Sequence, residues 1–226
     1  KAIARAGLTP ADIDFILVAT TTPDTLFQIA STSKAFTTTA LAMLADEDKL
    51  DWDDPVRKHL PSFRLSDPCA DSLVTLRDIV SHRTGLKRHD ELWDYGLWSR
   101  DEIVQRVGAV ELTRPFRSAY QYNNIMFMTA GEVVESAAGM SWEDFVTRRI
   151  FQPLGMKNTV ISEADWLERE HAPAHKFDFE RQTITVTRPV DYSSLGPAGA
   201  IKSSARDLAQ WVRFQLNKGS VDGKQL

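Results

Sequence analysis

Four pairs of a Ser or Thr with an acidic residue three positions later constrain the fold of this 226-residue chain more than any other feature. In such a capping box, the hydroxyl accepts from a free backbone N–H at a helix start, and the acidic side chain binds back. The pairs are Thr75 with Asp78, Ser99 with Glu102, Ser141 with Asp144, and Ser204 with Asp207. They predict helices near residues 76–82, 100–108, 142–150 and 205–217, with Gly219 ending the last.

Hydrophobic spacing predicts two more helices. One should begin near Ser31 and end at the charged residues 46–48, because apolar residues recur between them at helical intervals. The other should run from Asn124 to Ala138 and end at Gly139, since glycine readily adopts the left-handed conformation that closes a helix.

The predicted strand content is small. Alternating apolar residues over 175–179 and 183–187 flank a polar turn, which predicts a β-hairpin. At the front of the chain, residues 1–7 have the pattern of the last turns of a helix, and the apolar run 13–19 that of a strand. The chain is therefore expected to be mostly helical, with a little sheet.

Charge and hydropathy exclude several partners. The 27 Lys and Arg against 31 Asp and Glu give a net charge of −4, and no basic run is long enough to follow a phosphate backbone, so nucleic acid is not expected. Every apolar run is far shorter than the roughly 20 residues of a membrane helix, so we expect no membrane span. The single cysteine, Cys69, forms no internal disulfide and fits either redox compartment, which leaves localisation open.

The histidines give no sign of a cofactor. His89, His171 and His175 lack metal-like spacing with one another or with acidic residues. We therefore expect neither a metal nor another cofactor.

Ser31 and Lys34 form the sharpest chemical signal. One helical turn separates them, which leaves roughly 5–6 Å between their Cβ atoms and lets the amine reach the hydroxyl. A lysine can take the serine proton if burial or a helix N-terminus lowers its pKa. Because such a pair arises about once by chance in a chain of this length, a helix cap beside a solvated lysine is the simpler explanation of the pair alone.

The segment Tyr120-Gln121-Tyr122-Asn123-Asn124 is a second candidate, just before a predicted helix. A phenol near a Ser–Lys pair can share the proton, and an asparagine can orient the lysine or a substrate amide. The alternative is an asparagine helix cap preceded by packed tyrosines. Neither motif is sufficient by itself.

Five ordered segments resemble the serine β-lactamase-like family, which includes class C β-lactamases, D-alanyl-D-alanine carboxypeptidases and related esterases. They are FQIASTSKAFTTTALAMLADEDKLDWDDPVRKHLP (27–61), VTLRDIVSHRTGL (74–86), FRSAYQYNNIMFMTAGEVVESAAGMSWEDF (116–145), IFQPLGMKNT (150–159) and PAGAIKSSARDLAQW (197–211). The resemblance implies an α+β, β-lactamase/transpeptidase-like fold, mostly its helical part, with the sheet incomplete at both ends.

The same resemblance implies roles for individual residues. Ser31 would be the acylated nucleophile, Lys34 its partner in the Ser-x-x-Lys motif, and Tyr122 with Asn124 the Tyr-x-Asn motif. Ser31, Lys34 and Tyr122 are then the catalytic residues, and Asn124 binds substrate. In this family the His82 region marks a helix end and a turn.

The chain departs from the family pattern in two places. The family's third motif, a Lys-Thr-Gly or His-x-Gly triplet on a late strand, follows the segment 197–211 in the family and is not found before Leu226. Residues 1–27 instead resemble the helix–strand unit of thiolase-fold enzymes of the β-ketoacyl-ACP synthase III type. We therefore expect a thiolase-like segment over 1–26 and a C-terminally truncated serine hydrolase domain over 27–226.

Two hypotheses for the function follow. The first is a serine hydrolase that forms an acyl-enzyme with a small-molecule ester, amide or β-lactam, with esters favoured over β-lactams. The second is a catalytically silent, truncated or chimeric form with at most a binding role. Cys69 lies in a predicted loop of the hydrolase-like part and is not expected to be catalytic.

Overall fold

The computed structural model describes residues 22–94, 97–187 and 192–226. The α-helices are α1 (Ser33–Asp46), α2 (Val56–His59), α3 (Pro68–Leu73), α4 (Leu76–Val80), α5 (Glu91–Asp94), α6 (Arg100–Arg106), α7 (Ile125–Ala138), α8 (Trp142–Val146), α9 (Gln152–Leu154), α10 (Glu163–Leu167) and α11 (Ala205–Leu216). The strands are β1 (Phe27–Gln28), β2 (Ala174–Asp178), β3 (Thr183–Thr187), β4 (Lys202–Ser203), β5 (Ser220–Val221) and β6 (Lys224–Gln225). The helix predicted over 1–7 and the strand predicted over 13–19 lie outside the described residues.

Two of the predicted capping boxes form completely. At α4, Thr75 accepts from the Asp78 N–H while the Asp78 carboxylate accepts from the Thr75 N–H. At α6, Ser99 and Glu102 make the same reciprocal pair. These contacts confirm both helix starts, because each box satisfies two backbone donors that a helix N-terminus leaves free.

The Ser99 cap gives a testable stability effect. Replacing Ser99 with alanine should lower the free energy of unfolding by about 1 kcal/mol, because the Glu102 N–H loses its acceptor. Urea denaturation followed by circular dichroism measures the change. Ser99→Thr keeps the hydroxyl and serves as the control; equal losses in the two variants would contradict a capping role.

The helix predicted over 142–150 is interrupted. Ser141 caps α8 as predicted, but the α-helix ends at Val146 and passes through a π-helical turn (Thr147–Phe151) into α9. Pro153 explains part of this change, since it has no N–H to donate to the carbonyl one turn earlier. The turn keeps the side chain of Phe151 buried in the core, in edge contact with Phe36.

The two longest helices carry the core. Helices α1 and α7 pack against each other and against a 3₁₀ turn (Gly196–Ala198) that lies on both of them. A Cβ atom at Gly131 of α7 would lie 2.0 Å from Pro197 Cγ, so only glycine permits this close approach. From α1, the Thr37 hydroxyl donates to the Pro197 carbonyl at 2.7 Å. These contacts fix the 3₁₀ turn beside the first turns of α1.

The described sheets are small. Strand β1 pairs antiparallel with β4, and Phe27 lies opposite Ser203. Strands β2 and β3 form the predicted hairpin, in which Phe177 lies opposite Ile184. The mixture of many helices with short antiparallel strands confirms the predicted α+β class.

In the three described ranges, no helix combines the length and the apolar character that crossing a membrane requires.

Candidate active site

Ser31 lies in a 3₁₀ turn (Ala30–Thr32) directly before α1. Its side chain is exposed, and Ala30 before it has a left-handed φ of +44°, an uncommon backbone conformation for a residue with a side chain. The Ser31 hydroxyl hydrogen-bonds with the hydroxyl of Tyr122, a residue 91 positions further along the chain. An accessible hydroxyl at a helix N-terminus is therefore in direct contact with a phenol.

Lys34 lies beneath Ser31 on the first turn of α1 and is only 8% exposed. Its Nζ atom lies 3.1 Å from Ser31 Oγ, 2.8 Å from Asn124 Oδ1 and 2.7 Å from the Ala198 carbonyl oxygen. The last two atoms can only accept hydrogen bonds, so they take two of the amine's hydrogens. In the neutral amine, the lone pair is then left for the Ser31 hydroxyl.

The pKa of Lys34 is lowered from 10.5 to about 7. Burial is the largest cause, because it penalises the charged ammonium, and the Arg88 cation lowers the pKa further. The Asp90 carboxylate acts in the opposite direction. Near neutral pH a substantial fraction of Lys34 is therefore the neutral amine, which can accept a proton.

The two asparagines before α7 have different tasks. Asn123 Oδ1 accepts from the Met126 N–H at 3.0 Å and so satisfies a free backbone donor in the first turn of α7, although Asn124 is the residue directly before the helix. Asn124 directs its Oδ1 to Lys34 instead and donates from Nδ2 to Asp90 at 3.2 Å. The alternative interpretation of an asparagine cap therefore applies to Asn123, and Asn124 contacts the lysine.

His82 supports the segment that carries Tyr122. Its Nδ1 accepts from the Asn123 N–H at 3.1 Å, and the imidazole centroid lies 4.6 Å from that of the Tyr122 ring. Burial, assisted by the Lys34 charge, lowers the pKa of His82 to about 4, so the ring is neutral at neutral pH. His82 has a left-handed φ of +57° after the end of α4, which confirms the predicted helix end and turn.

Three groups that contact the candidate catalytic residues could not be recognised from the sequence. The Ala198 carbonyl is a backbone group, and Arg88 and Asp90 resemble ordinary surface charges. Asp90 accepts from Arg88 Nε at 2.7 Å, and the guanidinium carbon of Arg88 lies 5.0 Å from the Tyr122 ring centroid. Arg88 and Asp90 are recognised as part of the site only in the structure, where they contact Tyr122 and Asn124, residues more than 30 positions later in the sequence.

The remaining candidate residues lie apart from these contacts. Cys69 does not lie in a loop as predicted: it is exposed on α3, whose start is capped by Asp67, and it takes no part in the hydrogen bonds of Ser31 or Lys34. Within the part of the chain that the structure describes, no three His, Cys, Asp or Glu side chains gather in a way that would hold a metal ion.

Solved structures share this architecture. The octameric penicillin-binding protein homologue from Pyrococcus abyssi superimposes with a TM-score of 0.75 at 22% identity, over 88% of this chain and 46% of that one. The D-stereospecific amidohydrolase from Streptomyces sp. gives a TM-score of 0.72 at 26% identity, over 85% of this chain and 61% of that one. The fold is thus of the β-lactamase and penicillin-binding protein type.

The Beta-lactamase family model matches residues 18–226, and the chain belongs to this family. A curated relative, "Unguisins hydrolase ungD'" from Aspergillus campestris (strain IBT 28561), is 33% identical over 208 residues, which is 87% of this chain. The chain spans 39% of the length of that relative. The family match begins inside the segment 1–27, for which the thiolase-like interpretation remains a prediction.

Proposed function

We propose that the chain acts as a serine hydrolase that forms an acyl-enzyme at Ser31 with an ester or amide. The observation that carries this proposal is the hydrogen bonding of Lys34. Two of its three partners, Asn124 Oδ1 and the Ala198 carbonyl, can only accept, and the third is the Ser31 hydroxyl at 3.1 Å. The neutral amine therefore has its lone pair in position to take the serine proton.

In the proposed acylation, Ser31 Oγ attacks the substrate carbonyl carbon while its proton passes to Lys34. Tyr122, which hydrogen-bonds with Ser31, transfers a proton to the leaving group as the carbonyl–heteroatom bond breaks. The Lys34 ammonium then returns its proton to the Tyr122 phenolate. A water molecule gives one proton to the neutral Lys34 as its oxygen attacks the acyl carbon, and the Ser31 oxygen takes that proton from Lys34 as the acid leaves. Lys34 and Tyr122 are the residues that move protons, and neither step requires a metal or another cofactor.

Asn124 is proposed to position Lys34 and to contact the substrate. Its Oδ1 holds the lysine, and one Nδ2 hydrogen is donated to Asp90. In the proposed complex the second Nδ2 hydrogen donates to a substrate carbonyl, as the family motif implies.

The substrate is proposed to be a small ester or amide, with esters favoured over β-lactams. The hydroxyl of Ser31 is exposed, so a compact carbonyl compound can approach it directly. The relatives are named as an unguisins hydrolase and a D-stereospecific amidohydrolase, which supports testing amides as well as esters.

A fluorophosphonate probe tests the nucleophile. The Ser31 oxygen should displace fluoride from phosphorus, forming one Ser–O–P bond while the serine proton passes to Lys34. Intact-mass spectrometry should show one adduct on the chain and none on Ser31→Ala. Thr32→Ala removes the neighbouring exposed hydroxyl and should keep the adduct.

Circular dichroism separates a silent nucleophile from an unfolded chain. A folded chain without an adduct, or an adduct that persists in Ser31→Ala, would overturn the proposed function. The first result would favour the catalytically silent form instead. If one adduct forms and requires Ser31, p-nitrophenyl esters, amides and β-lactams should then be tested as substrates, in that order.

A further inference from the structure

We propose that Arg88 and Asp90 are positioning residues for this reaction: Asp90 fixes the amide of Asn124 against Lys34, while Arg88 holds Asp90 and covers the Tyr122 ring. The inference rests on the proposed function of Ser31, because positioning has meaning only if Lys34 accepts the serine proton. Neither residue belongs to the Ser-x-x-Lys or Tyr-x-Asn motif.

Asp90 determines which way the Asn124 amide points. Its Oδ1 accepts from Asn124 Nδ2 at 3.2 Å and from Trp93 Nε1 at 3.1 Å, so the carboxylate is held from two sides. A reversed Asn124 amide would direct an oxygen at this carboxylate and an NH₂ group at Lys34. The contact with Asp90 would then be repulsive, and the NH₂ group would repel the lysine ammonium or occupy the lone pair that Ser31 needs. Asp90 therefore selects the orientation in which Asn124 Oδ1 accepts from the lysine.

Arg88 connects this carboxylate to the phenol. Its Nε donates to Asp90 Oδ2 at 2.7 Å, and its guanidinium carbon lies 5.0 Å from the Tyr122 ring centroid. Lys34 Nζ lies 4.8 Å from the same centroid. A cation at this distance from an aromatic ring is attracted to it, so Arg88 restrains the ring whose hydroxyl contacts Ser31.

The two charges also act on the lysine in opposite directions. The titratable and charged groups that face Lys34 are Tyr122, His82, Arg88 and Asp90. His82 is neutral above about pH 4 because its pKa is depressed to that value. Arg88 lowers the pKa of Lys34 and Asp90 raises it. Neutralising one member of the pair should therefore shift the titration of Lys34 in the direction opposite to neutralising the other.

The test measures the second-order rate of fluorophosphonate labelling between pH 5 and pH 9. For the unmodified chain the rate should rise with a midpoint near the Lys34 pKa of about 7. Asp90→Asn should move the midpoint down and Arg88→Gln should move it up, each by about half to one pH unit. Asp90→Ala, which leaves nothing to orient Asn124, should also lower the limiting rate at high pH about tenfold relative to Asp90→Asn.

A second ion pair supplies the matched control. Arg77 and Asp53 pair at 2.9 Å on the surface, so Asp53→Asn should leave the midpoint unchanged. Labelling of the unmodified chain that does not depend on Ser31 would refute the proposed function. If labelling requires Ser31, but the Arg88 and Asp90 variants remain folded and share the original midpoint or shift in the same direction, the positioning role is wrong.

Discussion

Replacing Lys34 with methionine is expected to slow labelling of Ser31 by about 10²- to 10⁴-fold at pH 8, the range typical of a lost general base. Methionine keeps an unbranched side chain of similar length but has no lone pair that can take the serine proton. The pH dependence below pH 8 should disappear together with the rate, because the titrating amine is gone. Stopped labelling reactions followed by intact-mass spectrometry measure both effects.

Lys34→Arg separates proton transfer from simple hydrogen bonding. Arginine can still donate to Asn124 Oδ1 and to the Ala198 carbonyl, but its guanidinium stays charged and cannot accept a proton. It should therefore lose as much rate as Lys34→Met. A folded Lys34→Arg variant that is labelled as fast as the unmodified chain would rule out the proton-accepting role.

The second large effect concerns stability. Asp207→Ala should lower the free energy of unfolding by about 3–5 kcal/mol, because several buried donors lose their common acceptor. Asp207 is only 2% exposed, and its Oδ2 accepts at 2.8 Å from the N–H groups of Asn158 and Thr159 and from the Thr159 hydroxyl. Urea denaturation followed by circular dichroism measures the loss.

Asp144→Ala is the matched control for this substitution. Asp144 also follows a capping serine by three residues, but its side chain is 51% exposed and contacts Arg148 at 3.4 Å. Removing it should change the free energy of unfolding by no more than about 0.5 kcal/mol. Similar losses for Asp144→Ala and Asp207→Ala would contradict the role given to the buried carboxylate.

This contrast shows what the helix-start pattern predicts and what it does not. The serines before α8 and α11 cap their helices through local geometry, which a sequence of four residues contains. What the carboxylates of Asp144 and Asp207 bind depends instead on which elements pack beside them. Asp207 binds the backbone of a segment about 50 residues earlier, a tertiary contact for which local spacing carries no information.

The same distinction between local and tertiary contacts applies to the candidate site. The spacing of Ser31 and Lys34 predicted their approach, since one helical turn decides it. For Tyr122 and Asn124, residue chemistry leaves two alternatives, proton sharing with the Ser–Lys pair or a helix cap preceded by packed tyrosines, and only the family resemblance favours the first. The Ala198 carbonyl could not be predicted, because a backbone oxygen has no sequence signature and reaches Lys34 only when the 3₁₀ turn packs on α1.

The burial of Lys34 has a consequence for the folding equilibrium itself. In the unfolded chain this amine titrates near its ordinary pKa of 10.5, whereas in the folded chain its pKa is about 7. Between these two values the unfolded state binds one more proton, so folding releases a proton. Through this linkage, the contribution of Lys34 to the free energy of unfolding rises by about 1.4 kcal/mol per pH unit between these two values. The cost of burying the proposed base thus falls as the pH rises above about 7 and is gone only above about 10.5, the ordinary value for lysine.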